Sequence, residues 1–175
     1  MLKNPVSNDD HIEGTQNAAV TLVEYGDYQC PYCGEAYPII QRLQKHYGSK
    51  LRFVFRNFPL TEIHPLAEPA AQTAEYAAAE GQFWEMHDLI FENQSNLSIE
   101  LLLQLADFLK LSPAELQEAL KNHSFDAKIQ KDFMSGIKSG VNGTPTLYIN
   151  GARYAGPVDF QDLVSAIDEI IAVSK

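Results

Sequence analysis

Cysteine is nearly absent: this chain of 175 residues has two, Cys30 and Cys33, and a single tryptophan, Trp84. Two cysteines cannot staple a disulfide scaffold, so packing must hold the core and the pair is free for chemistry. Positive charge is scarce as well. Lys and Arg number 13 against 23 Asp and Glu, a formal net charge of −10, and the basic residues are scattered. Nucleic acid and anionic membrane surfaces are thereby disfavoured as partners, because both need clustered Lys and Arg. No run approaches the roughly 20 apolar residues of a membrane helix, which argues against membrane insertion. Residues 1–19 carry charge and polarity throughout and lack the apolar stretch of a secretory signal. With Met1 as the natural start, the expected location is the cytoplasm. A trimmed leader would make it periplasmic or otherwise extracytoplasmic.

The two cysteines stand three apart, in Cys30-Pro31-Tyr32-Cys33. An apolar strand, Val20 to Tyr25, leads into them. Helical periodicity follows, with Ala36, Ile39, Ile40, Leu43 and Tyr47 on one face and Gly48 as the stop. Leu51 to Phe58 reads as a second strand, ended by Pro59. Strand, helix, strand over about 40 residues is a βαβ unit with parallel strands. Strand character then disappears. Helices are expected near 65–80, 82–93, 98–110, 113–122 and 125–139, with Ser98 and Ser112 as N-caps and Pro113 in a first turn. Strands return at Thr146–Ile149 and Ala152–Ala155, joined by the hairpin signal Asn150-Gly151. Asp159 to Ser174 reads as a closing amphipathic helix. The fold class is therefore α/β: residues 1–62 and 140–175 make one domain, 63–139 a helical insertion, and 1–18 a loosely held polar lead-in with at most a short strand.

At a helix start, Cys30 meets unpaired N–H groups and the positive end of the helix dipole, and both favour thiolate. Cys33, one turn along, is placed to close the ring and too buried to attack first. Pro31 fits the first turn, where a missing N–H costs nothing. Half a zinc site is the bland alternative, but no second pair of Cys or knuckle-spaced His completes it. Glu24 lies inside the apolar strand. It either exchanges a proton with Cys33 or points to solvent on alternation. Pro145, in Gly143-Thr144-Pro145-Thr146, either forms a cis peptide facing the dithiol, with Thr144 offering backbone groups to a bound peptide, or is an ordinary trans proline. His64 either tunes the dithiol or is a loop residue. Phe83, Trp84, Met86, Leu89, Ile90 and Phe91 read as core. Glu68, Glu75, Glu80, Glu85 and Glu92 read as a solvated helix face.

These segments together resemble a known family. Val20-Thr-Leu-Val-Glu-Tyr-Gly-Asp-Tyr-Gln-Cys30-Pro-Tyr-Cys33, the Asp10-His11-Ile12 to Gly14 region, Phe55-Arg-Asn-Phe-Pro59 and Val141-x-Gly143-Thr-Pro145-Thr146 resemble DsbA-like thiol-disulfide oxidoreductases, most closely the BdbD-like branch. The resemblance spans nearly the whole chain. It implies a thioredoxin fold (βαβ…ββα, a central mixed sheet) with an inserted helical domain. Cys30 would be the exposed nucleophile, Cys33 its resolving partner, Glu24 the buried acid and Pro145 the cis proline after Thr144. No metal and no cofactor beyond the redox-active disulfide is implied. The partners would be protein thiols or disulfides, with glutathione, a thioredoxin-type protein or a membrane redox protein as further candidates. Two departures stand out: no export signal, and Tyr32 where strongly oxidising members carry His. Without that imidazole, weaker thiolate stabilisation is expected at Cys30. A glutaredoxin-like, glutathione-dependent reductase and a non-catalytic peptide-binding module are the rival readings.

Overall fold

A computed structural model describes residues 1–173 of the chain. Val20–Gly26 (β2) and Leu51–Asn57 (β3) pair in parallel, with Glu24 opposite Phe55. The helix Pro31–Tyr47 (α1) makes the crossover between them. Thr146–Ile149 (β4) runs antiparallel to the other side of β2, setting Leu147 beside Glu24. The short strands His11–Glu13 (β1) and Ala152–Arg153 (β5) flank the sheet, giving the order β1-β3-β2-β4-β5. The hairpin turn at Asn150-Gly151 uses positive φ at both residues, 48° and 82°, as the dipeptide predisposes. β5 is two residues long rather than four, although the Tyr154 N–H just beyond it still bonds the Leu147 carbonyl.

Both faces of the sheet are covered, so β2 and β3 are continuous apolar runs rather than alternating ones. On one face Val20, Leu22, Phe53, Phe55, Leu147 and Ile149 pack against α1 and the closing helix Phe160–Val173 (α7). The expected helix end at Ser174 lies outside the described residues. On the other face Val23, Tyr25, Val54, Phe58 and Tyr148 form a smaller core, covered by the helix Asp126–Ser139 (α6) through Phe133. Gly136 lets α6 come close: a Cβ there would stand 2.7 Å from the Phe58 ring.

Ala67–Ala79 (α2), Phe83–Glu92 (α3), Ile99–Phe108 (α4) and Pro113–Lys121 (α5) complete the helical block. Ser98 and Ser112 accept from the N–H groups of Leu101 and Glu115, and so cap α4 and α5. α2 begins at Ala67 rather than at 65, because residues up to His64 form a turn whose last carbonyl accepts from Ala67. Glu75 departs from the expected solvated face. It is buried, with its carboxylate 2.9 Å from His11 Nε2 and 2.7 Å from Asn57 Nδ2. The Ala-rich α2 is enclosed from Ala70 to Ala77, so it has no single apolar stripe to read. The lead-in is tied down as well as paired: the Arg56 guanidinium holds Asp10 at 2.7 Å and the carbonyls of Asn4 and Pro5.

Candidate active site

Cys30 is the N-cap of α1 and Pro31 its first residue, so the dithiol straddles the first helical turn. Both cysteines are free thiols. The β4 end of the sheet brings Thr144-Pro145 alongside, joined by a cis peptide bond, and the Thr144 carbonyl lies 3.3 Å from Cys30 Sγ. The side chain of Tyr32 is turned outward and 68 % exposed. A shallow groove of about 320 Å³ runs beside the dithiol, lined by Tyr32, Glu35, Ala36, Thr144, Pro145 and Val158.

The two sulfurs sit in opposite environments. Cys30 is held at a pKa of about 5: hydrogen bonding from the Cys33 thiol is the largest cause, opposed by burial and reinforced by Thr144 and by the N–H groups of Cys33 and Tyr32. The Thr144 hydroxyl is buried and makes no hydrogen bond, while the Thr144 carbonyl accepts from the Cys30 thiol. Thiolate stabilisation is thus present without an imidazole. The donors come from the helix start and from Cys33, and the dipeptide side chain adds none. Cys33 is pushed well above the ordinary thiol value, first by burial, then by its hydrogen bond to Cys30 and by the negative charges of Glu24 and Cys30.

Glu24 points into the α1 side of the sheet, the same face as Leu22 and Phe55. Alternation gives it no solvent side, because both faces are covered. Burial raises its pKa to about 8, the Cys30 thiolate adds to this, and hydrogen bonding with the Cys33 thiol opposes both. Its Oε1 has no protein partner, and the residue helps line a cavity of about 220 Å³ between α1 and α3.

Two residues not singled out from the sequence complete the site. Asp27 is fully buried beneath the dithiol. Its Oδ1 accepts from the N–H groups of Gln29 (2.8 Å) and Cys30 (3.2 Å), its Oδ2 from Leu60 N–H (2.9 Å) and His64 Nδ1 (2.7 Å). Its own N–H points at Cys33 Sγ, 3.4 Å away. Gln94, from the helical block, donates to the carbonyls of Tyr28 (2.9 Å) and Cys30 (2.8 Å). Gly34 makes room for it, since a Cβ there would collide with the Gln94 amide. An acid three residues before the helix N-cap was a visible signal for Asp27. Nothing near the motif announces Gln94. His64 does not touch either sulfur; it reaches them only through Asp27.

A covered mixed sheet with a dithiol at a helix start and a proline peptide beside it is a thioredoxin fold. The thioredoxin family model (Thioredoxin_4) matches residues 6–169, and the chain belongs to that family. Among solved structures it is similar to BdbD from Bacillus subtilis in the oxidised state, at 27% identity and a TM-score of 0.87 over 96% of each chain. It is also similar to a thioredoxin-like oxidoreductase from Silicibacter pomeroyi, at 26% identity and a TM-score of 0.79 over 93% of this chain and 92% of that one. Among curated relatives, Na(+)/H(+) antiporter NhaA 3 of Salinispora tropica is 41% identical over 172 residues, which is 98% of this chain and 26% of the antiporter. The chain therefore spans about a quarter of the length of the curated relatives it matches. Among the described residues no helix is long and apolar enough to cross a membrane.

Proposed function

We propose that this chain exchanges dithiol for disulfide with protein substrates through Cys30 and Cys33, poised toward giving its disulfide away. The observation that carries the reading is the contrast between Cys30, held as thiolate down to a pKa of about 5, and Cys33, kept protonated above its ordinary value. In the donating direction a substrate thiolate attacks Cys30 Sγ of the oxidised pair. The Cys30–Cys33 bond breaks, and Cys33 leaves as a thiolate that takes the proton of Glu24. A second substrate thiol, losing its proton, attacks the substrate sulfur of the mixed disulfide and releases Cys30. Two electrons pass from the substrate dithiol to the enzyme pair, and reduction is the same path reversed.

A low-pKa sulfur is the better leaving group, so release from the mixed disulfide is fast at Cys30. Glu24 matches its task because a pKa of about 8 lets it give and recover a proton near neutrality. The groove along Thr144-Pro145 and Val158 receives the substrate chain. The disulfide itself is the redox group; the reading needs no metal or other cofactor.

Replacing Cys33 with Ser should accumulate mixed disulfides when Cys30 attacks disulfide-bonded protein substrates, visible as adducts on non-reducing gels. Replacing Cys30 with Ser should abolish exchange. Undiminished disulfide transfer by Cys30→Ser would overturn the proposal.

A further inference from the structure

We infer that His64 is a positioning residue for the dithiol, acting through Asp27. The inference rests on the exchange chemistry proposed above and names a residue that chemistry does not use.

Asp27 accepts four hydrogen bonds from two separate segments. Gln29 and Cys30 belong to the turn that starts α1. Leu60 and His64 belong to the turn that leads from β3 into α2. The side chain has no solvent exposure, so no water is at hand to replace a lost donor. His64 is the only side-chain donor of the four; the other three are backbone N–H groups whose positions the chain path sets. Gln29 fastens the same two segments independently, its Oε1 accepting from Leu66 N–H at 2.6 Å. The loop that enters the helical block is therefore stitched to the turn carrying the nucleophile.

His64 donates through Nδ1, which puts its tautomeric proton on the Asp27 side. Remove that donor, and the buried Asp27 carboxylate lies beneath the dithiol with one compensating dipole fewer. A charge near the thiolate then disfavours the thiolate, so Cys30 should bind its proton more tightly. A less stable thiolate also makes the disulfide harder to reduce. The carboxylate is further free to swing from the Cys30 N–H, which loosens the helix start that holds the sulfur.

The experiment compares wild type with His64→Ala, His64→Leu and His64→Asn. The Asn amide nitrogen can stand where Nδ1 stands and keep the donor. Three readouts are taken: the pH titration of the Cys30 thiolate by its ultraviolet absorbance, the equilibrium reduction potential against glutathione, and the melting temperature. His64→Ala or His64→Leu, whichever folds, should raise the Cys30 titration midpoint by roughly half a unit, about a threefold change in proton affinity, and make the potential more negative. His64→Asn should restore both. An unchanged Cys30 titration and potential in the donor-less variant, even with a lower melting temperature, overturns the inference, because a merely structural histidine would behave so. A His64→Asn variant that matches His64→Ala overturns it too. The thiolate titration requires no substrate, so it is decided separately from the mixed-disulfide trap that tests the exchange itself.

Discussion

Two acids of the site titrate across the same pH window with opposite effects on stability. Glu24 has its pKa raised from 4.5 to about 8, so between those values the folded chain holds a proton the unfolded chain has lost, and stability falls as pH rises. Cys30 has its pKa lowered from 9.0 to about 5, so across its own window the unfolded chain holds the extra proton, and stability rises with pH. In the reduced wild type the two slopes oppose each other between about pH 5 and 8. Glu24→Gln should uncover a stability that climbs with pH, and Cys30→Ser one that declines, both read from urea unfolding of the reduced protein at a series of pH values. Equal slopes in the two variants would contradict the assignment. Glu24→Leu should also stabilise the fold by about 1–3 kcal/mol, since it removes a buried oxygen without a partner, while slowing disulfide exchange. At this scale the sequence was informative where chemistry is contiguous. Cys30, Cys33, Pro31 and Thr144-Pro145 lie in short motifs. Glu24 was ambiguous because period-2 reasoning presumes a wet face that this sheet does not have. Glu75 was misread for the related reason that α2 is enclosed on all sides.

Among the elements, α6 and the lead-in depend on single close contacts. Gly136→Val should push α6 off Phe58 and cost about 1–3 kcal/mol by overpacking, measured as a lower denaturant midpoint with the Cys30 titration unaltered. Arg56→Ala removes the partner of buried Asp10 and should cost about 3–5 kcal/mol; hydrogen exchange should then accelerate through β1 and the residues before it. Helix boundaries were legible where Ser98, Ser112 and Pro113 mark them chemically. The start of α2 was not, because a turn after Pro59 and a helix start look alike until the His64 carbonyl is seen to accept from Ala67. The lead-in looked loose because its anchors, Arg56 and the β3 edge, lie more than 40 residues away in sequence.

For the molecule as a whole, the stabilised Cys30 thiolate exists only in the reduced state. The reduced protein should therefore melt at a higher temperature than the oxidised one near neutral pH. A disulfide that raised the melting temperature would mark the pair as a structural staple and reverse the proposed direction of electron flow. Molecules that exchange disulfides with protein substrates meet chains that are still unfolded and ready to pair with any free strand. Here the two outermost strands are the shortest, three residues in β1 and two in β5, while the longer β3, β2 and β4 lie between them. Short borders give an adhesive client little to extend.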